Sequence, residues 1–134
     1  MRYLGIDYGT KRVGLATAED AGNMAFPLGV IAHTKTLIKD VVLLCEKERI
    51  ERIVIGESRD NSGKPNPVME AITEFARQLA PATGLPIDFH PELFTSREAM
   101  HLQGDNDQND ASAAAIMLQS YLDRKLDRER NVLP

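Results

Sequence analysis

The apolar residues near the N-terminus are spaced as they are in β-strands. Three short runs, residues 3–9, 12–20 and 26–33, are rich in β-branched and aromatic side chains and are separated by brief turns, the first of them around Gly9. Runs of this kind joined by short turns indicate successive antiparallel strands. The N-terminal part of the chain therefore predicts a three-stranded meander.

The pattern then changes to a helix followed by a buried strand. Residues 36–49 place apolar side chains, from Leu37 to Cys45, on one helical stripe. Residues 52–58, RIVIGES, begin with a continuous apolar run. Such a run is typical of a strand covered on both faces, which favours a parallel arrangement.

A second helix and a fifth strand follow. Asn66 is a suitable N-cap, Pro67 suits the first helical position, and the apolar periodicity stops near Gly84. The segment PIDFHPE, residues 86–92, then has the length and composition of a short strand.

The C-terminal part is predicted to be helical. Thr95 and Glu98 have the spacing of a capping box, which predicts a brief helix reaching about Leu102. A long helix is predicted from Asp110, with a charged tail over about 127–134 that is expected to fray. The order βββαβαβαα predicts a single α/β domain over residues 1–134, built on a mixed five-stranded sheet.

Composition narrows the class of protein without giving a function. The chain has 134 residues, of which 43% are hydrophobic and 27% charged, and no stretch approaches the roughly 20 apolar residues of a membrane span. The single cysteine, Cys45, lies on an apolar helical stripe, which predicts a core position and fits a reducing cytoplasm. The N-terminus lacks the layout of a secretory signal.

The charge distribution leaves room for only a local basic surface. The net charge of −4 argues against non-specific binding of polyanions, although a basic patch is compatible with it. Four late basic residues alternate with acids, and this pattern favours a mixed-charge helix face over a nucleic-acid patch. They are Arg124, Lys125, Arg128 and Arg130.

One aspartate lies within a strand that is otherwise apolar. Asp7 is followed by Tyr8, Gly9 and Thr10, so it lies where the first strand leaves the sheet. Burying an unpaired carboxylate is costly, and open α/β sheets place their ligands at such strand ends. Two roles of Asp7 therefore remain open at this point: it binds a ligand, or it organises the turn before Gly9.

Two further acids end neighbouring elements. Glu92 ends the fifth strand and Asp110 begins the last helix, where a solvated acid and an N-cap are the plain alternatives. The three carboxylates would converge if the fourth and fifth strands flank the first, and converging acids repel unless a cation joins them. Oxygen ligands alone favour Mg²⁺ or Mn²⁺, as in two-metal phosphodiester chemistry. Asp107 is a possible fourth ligand or a solvated loop acid.

Three segments resemble the YqgF/RuvX family of Holliday-junction resolvases and ribosomal-RNA nucleases, which has the ribonuclease H-like fold. GIDYGTKRVGLA resembles the family's N-terminal motif through Asp7, Gly9, Lys11, Arg12 and Gly14. DASAAAIMLQSYLD resembles its closing helix. PELFTSREA resembles its Glu-Arg-Leu-Thr-Thr segment through Glu92, Thr95 and Ser96.

The resemblance implies a cytoplasmic nuclease that uses one or two Mg²⁺ or Mn²⁺ ions. Asp7, Glu92 and Asp110 would be its catalytic, metal-binding acids. Its substrates would be the precursor of 16S ribosomal RNA, branched DNA or both, and the chain would act as a monomer or a homodimer. The residues expected to contact nucleic acid are Lys11, Arg12, Arg59, Lys64, Thr95, Ser96 and Arg97.

Two departures from the family pattern keep other functions open. Leu93 replaces an arginine beside the glutamate, and Gly56-Glu57-Ser58 replaces Gly-Leu-Pro. They leave a catalytically silent binding module as an alternative. A phosphotransferase or ATPase is a weaker one, because GIDYGT also resembles the phosphate loop of sugar kinases, but such proteins need a second domain.

Overall fold

The computed structural model describes residues 1–58, 67–91 and 107–132. Its strands are β1 (Arg2–Asp7), β2 (Arg12–Glu19), β3 (Met24–Ala32), β4 (Arg52–Glu57) and β5 (Ile87–Pro91). Its helices are α1 (Leu37–Glu48), α2 (Pro67–Thr83) and α3 (Asp107–Val132). Every predicted element within the described ranges is confirmed. The brief helix predicted from Thr95 lies outside them.

The five strands form one mixed sheet in the order β3-β2-β1-β4-β5. The first three strands pair antiparallel as a meander, while β4 pairs parallel to β1 and β5 pairs parallel to β4. The mixed α/β architecture is therefore confirmed. Only β4 is a direct neighbour of β1, because β4 separates β5 from it.

Helices cover both faces of the sheet, and alternate residues of β1 contribute to two separate cores. Leu4 and Ile6 point to the side of α1 and α2, where Cys45 is also buried. Tyr3 points to the opposite side, where α3 packs. Because side chains alternate along a strand, Asp7 faces α3.

The last helix begins earlier than predicted. It begins at Asp107, so Asp110 lies in the first turn and is not the N-cap. It continues to Val132, and its last turns contain good helix formers such as Arg128 and Glu129. That the segment 127–134 frays stays a prediction. Among the described residues, no helix is long and apolar enough to cross a membrane.

Candidate active site

The first carboxylate of the predicted site is buried at the end of β1. Asp7 is the last residue of this strand and only 8% of it is exposed. It pairs across the sheet with Gly14 of β2. The strand that carries Asp7 is central, so its backbone is held on both sides, by β2 and by β4.

Gly14 allows the start of α3 to approach the sheet beside Asp7. A Cβ atom at position 14 would overlap the carbonyl oxygen of Asp110 and would stand 2.6 Å from its carbonyl carbon. No other residue type fits this contact without moving the helix. Asp7 and Asp110 are thus brought together through the residue that both adjoin.

Arg12 holds the carboxylate of Asp110. Its Nε lies 2.8 Å from Oδ2 of Asp110, and the two side chains are 30% and 20% exposed. Arg12 is the first residue of β2, two residues before Gly14. An N⁺–H···O⁻ contact of this length is a charge-assisted hydrogen bond, which orients the carboxylate as well as neutralising it.

His33 fastens the turn that joins Asp7 to Arg12. The His33 backbone N–H donates to the carbonyl oxygen of Lys11 over 3.0 Å. The ring Nδ1 lies 2.8 Å from the carbonyl oxygen of Gly9, so Nδ1 carries the proton and donates it. Nε2 is then left to accept from the Tyr8 hydroxyl at 3.4 Å. No local feature of the sequence indicates this role of His33.

Tyr8 anchors the same turn from the other side of the sheet. Its ring lies 5.0 Å from the rings of both His33 and Phe75, measured between centroids. Burial raises the pKa of the Tyr8 hydroxyl, which keeps it protonated as a donor. Tyr8 therefore packs into the core on the side of α1 and α2. Lys11 is exposed in this turn.

The end of β5 approaches α3 on the same face of the sheet. His90 is buried, and its Nε2 lies 2.9 Å from the hydroxyl of Ser120 in α3. Burial lowers the pKa of His90, and the nearby Arg124 and Arg128 lower it further against the opposing effect of Glu57. His90 therefore has a structural role, since it joins β5 to α3.

The remaining predicted site residues lie outside the described ranges. Strand β5 ends at Pro91, directly before Glu92. The structure therefore brings together Asp7, Arg12 and Asp110 and does not bear on the other predicted contacts. Those are Glu92, Arg59, Lys64, Thr95, Ser96 and Arg97.

The donors at this site fit a hard divalent cation. Within the described ranges, no group of three His, Cys, Asp or Glu side chains is close enough to hold a metal ion. The described part of the site supplies two carboxylates, from Asp7 and Asp110, and no sulfur donor. Carboxylate oxygens are the ligands of Mg²⁺ and Mn²⁺, so the expected ion fits, with Glu92 as the predicted third ligand.

The fold and the site are those of a domain of the ribonuclease H-like class. Such a domain has a meander, a central strand that ends in an aspartate, and a last helix that brings a second aspartate to the end of that strand. The model of the RuvX family, described as Holliday junction resolvase, matches residues 1–124. The chain belongs to this family, and the resemblance seen in its motifs is confirmed.

Curated relatives match over most of their length. A protein of Moorella thermoacetica is 36% identical over 135 residues, which cover 92% of this chain and 96% of the relative. A protein of Nitratidesulfovibrio vulgaris is 32% identical over 127 residues, which cover 93% and 86%. Both carry the name "Putative pre-16S rRNA nuclease".

Solved structures give the same fold at low sequence identity. RuvC of Thermus thermophilus, in complex with a Holliday junction substrate, matches with a TM-score of 0.61 and 17% identity over 94% of this chain and 96% of that chain. The fowlpox virus resolvase in complex with Holliday junction DNA matches with a TM-score of 0.62 and 12% identity, over 94% and 99%. These likenesses establish the resolvase-type ribonuclease H-like fold.

Proposed function

We propose that this protein is a divalent-metal-dependent nuclease that hydrolyses phosphodiester bonds in nucleic acid. The observation that carries the proposal is the convergence of Asp7 and Asp110 on Gly14, at the end of the central strand. Membership of the RuvX family supports the same reaction class. Asp7, Asp110 and Glu92 are the proposed ligands of Mg²⁺ or Mn²⁺.

Each described residue has a defined task in this reaction. Asp7, nearly buried on a central strand, presents a fixed carboxylate with little room to reorient. Asp110 presents a second carboxylate whose orientation is set by Arg12. An ion bound there supplies Lewis-acid activation of water and of the scissile phosphate. The exposed Lys11, in the turn beside Asp7, is placed to attract the phosphate backbone.

The substrate proposed first is the 5′ end of precursor 16S ribosomal RNA, in the cytoplasm. The names of the curated relatives support precursor 16S ribosomal RNA as the substrate. Branched DNA is a second candidate, supported by the family description and by the fold of RuvC. A junction would require two sites on paired strands and hence a homodimer, whereas a single RNA cut requires only one copy.

Cleavage of both substrates, side by side, tests the proposal. A labelled ribosomal-RNA precursor and a labelled four-way DNA junction are incubated with the protein and Mg²⁺ or Mn²⁺, with chelator as the blank. Asp7→Asn and Asp110→Asn are expected to abolish cutting, because an amide is a poor ligand for these ions. Asp127→Asn is the matched control, since Asp127 is an exposed acid of the same helix.

The outcomes separate the substrates and the alternatives. Metal-dependent cutting of one substrate that both site variants lose would establish the reaction and identify the nucleic acid. If the folded protein cuts neither substrate, the nuclease proposal is wrong and the silent binding module becomes the better description. Equal loss in Asp127→Asn would also count against the assigned site.

A further inference from the structure

A groove lies beside the last helix, on the face of the sheet that carries Asp7. Among the described residues, α3 packs mainly over β1, β2 and β3, and the groove lies between this helix and β5. The space has a volume of about 380 Å³. We call it the basic groove and define it by six of its lining residues, Arg52, Asp88, Tyr121, Arg124, Lys125 and Arg128.

The acid in the basic groove is already engaged. Oδ2 of Asp88 accepts hydrogen bonds from Arg52 at 2.9 Å and from the Tyr121 hydroxyl at 2.5 Å. Lys125 is directed to Asp20 at 3.4 Å and to the Tyr3 hydroxyl. Arg52, Asp88 and Lys125 are therefore engaged in the walls of the groove. The positive charge that remains for a ligand belongs to Arg124 and Arg128.

Arg124 and Arg128 are exposed and lie one turn apart on α3. Like charges at positions i and i+4 of a helix repel each other. Neither forms an ion pair with a carboxylate in the part of the chain that the structure describes. The helix dipole favours a cation in the last turn only, so it does not account for Arg124 in a helix that continues to Val132.

The acid that precedes Arg124 in the sequence points elsewhere. Asp123 accepts a hydrogen bond from Gln119 at 3.1 Å, and the same Gln119 accepts one from the backbone of Ala25 at the β3 side. Ser120, Arg124 and Arg128 follow the opposite flank, where Ser120 contacts His90 of β5. Asp123 and these arginines therefore lie on different flanks, and of the charged residues of α3 whose side chains the structure describes, only bases line the groove.

We propose that the basic groove binds the phosphodiester backbone of the nucleic acid on which the active site acts. This inference rests on the proposed nuclease function, because it takes the substrate to be nucleic acid. At 1.5 Å per residue, Arg124 lies about 21 Å along α3 from Asp110. That distance corresponds to about six base pairs of duplex, so the groove holds an arm of the substrate away from the cut.

The groove also leads towards the predicted site. His90 and Pro91 line its end, and Pro91 is the residue before Glu92. A nucleic-acid backbone lying in the groove would contact both arginines, and its phosphates would relieve the repulsion between them. This contact requires no particular base sequence. Such contacts position a nucleic acid and do not select its sequence.

Binding measured as a function of salt tests the proposal. The full chain carrying Asp7→Asn, which keeps the substrate uncut, is titrated against fluorescent duplexes of about twelve base pairs, twice the proposed span. One duplex is RNA and the other is DNA of the same sequence. Adding Arg124→Gln and Arg128→Gln removes up to two phosphate contacts, which should make the slope of log affinity against log salt shallower by about 1.8.

Two further variants separate local contacts from total charge. Lys39→Gln with Lys47→Gln makes the same change in net charge on α1, across the sheet, and should leave the slope unchanged. Arg124→Lys with Arg128→Lys keeps both charges and should retain most of the binding. If the glutamine substitutions weaken binding of one duplex more than of the other, that duplex shows whether the groove prefers an RNA or a DNA arm.

Three results would overturn the inference. The first is an unchanged affinity and salt slope in the double glutamine variant of Arg124 and Arg128. The second is an equal change in the α1 control, and the third is no binding of either duplex by protein with an unaltered groove. Cleavage of a substrate that lacks the arm distinguishes the two proposals. If wild-type protein cuts it while groove variants bind duplexes normally, the nuclease stands and the groove fails. If wild-type protein cuts neither this substrate nor the intact one, the nuclease proposal fails as well.

Discussion

Gly14 of β2 and Asp110 of α3 are in backbone contact, with the carbonyl of Asp110 filling the space that a Cβ at position 14 would need. The same Gly14 pairs with Asp7 across the sheet. The placement of the second carboxylate relative to the first therefore depends on the absence of a side chain at one position.

Gly14→Ala should reduce both stability and activity. The added methyl group forces α3 away from β2, which should cost about 1–3 kcal/mol of unfolding free energy and displace Asp110. Chemical denaturation and metal-dependent cleavage measure the two effects.

Two other glycines make this test specific. Gly5→Ala places a Cβ 2.9 Å from Cβ of Leu118 and so disturbs the same helix away from the acids, whereas a Cβ at Gly22 would meet no atom within 4 Å. Gly5→Ala should lose stability with less loss of activity, and Gly22→Ala should change neither. Equal activity in the Gly14 and Gly5 variants would contradict the assigned role of Gly14.

Arg12→Gln should strengthen metal binding while it weakens catalysis. The guanidinium neutralises Asp110 and repels a cation, so its removal should tighten Mn²⁺ binding by up to about fivefold, the upper range for a partly exposed ion pair. Cleavage should fall because Asp110 loses its fixed orientation. Isothermal titration calorimetry with Mn²⁺ gives the affinity.

The matched control is Arg77→Gln. Arg77 pairs with Glu74 at 2.8 Å on α2, so this variant also removes an arginine from an ion pair. It should alter neither metal affinity nor cleavage. Weaker Mn²⁺ binding in Arg12→Gln would show that Arg12 supports the ion instead of competing with it.

His33→Ala should loosen the turn between Asp7 and Arg12. The substitution removes the hydrogen bond to the carbonyl of Gly9 and the contact with Tyr8. Each hydrogen bond of this kind contributes about 1 kcal/mol to stability. We expect a lower rate of cleavage together with a modest loss of unfolding free energy.

Rescue by a conservative variant distinguishes the turn contact from general packing. His33→Asn retains an N–H close to the position of Nδ1, and it should recover cleavage while remaining less stable than wild type. If asparagine and alanine impair the rate equally, the bond to Gly9 is not what positions the turn.

Cys45 should be unreactive in the folded protein. Burial, with a smaller effect from Glu46, raises the pKa of its thiol from 9.0 to about 11. Because the thiolate is the reactive species, alkylation by iodoacetamide should be slow in native buffer and fast in denaturant. Rapid native alkylation near neutral pH would contradict the buried position.

The same shift has a consequence for stability. Above about pH 9 the unfolded chain releases the thiol proton that the folded chain keeps, so unfolding free energy should fall as the pH rises from there towards 11. Cys45→Ala should remove this part of the pH dependence, and denaturation at several alkaline pH values measures it.

The strands and the two described acids were predictable because they depend on local pattern. Asp7 stood out as a charge in an apolar run, and Asp110 as an acid at the predicted start of the last helix. The ion pair of Arg12 with Asp110, the role of His33 and the position of β4 between β1 and β5 were not predictable. Each depends on which residues, distant in the chain, meet across the sheet.

The basic groove also could not be predicted from the sequence. The sequence around Arg124 suggested mixed charge, because acids and bases alternate there. A helix turns by about 100° per residue, so neighbours in sequence point to different sides, and Arg52 joins the groove from another element. The charges along a helix predict a binding surface only after each residue has been assigned to a face of the helix.

The continuous helix α3 also restricts how the length of this chain can change. Inserting one residue between Asp110 and Arg124 would rotate every later side chain by about 100° and would remove the arginines from the groove. Inserting seven would restore the face after about two turns and place the arginines about 10 Å further along the helix from Asp110. The reach from the active site to the held arm can therefore change only in steps of whole helical turns.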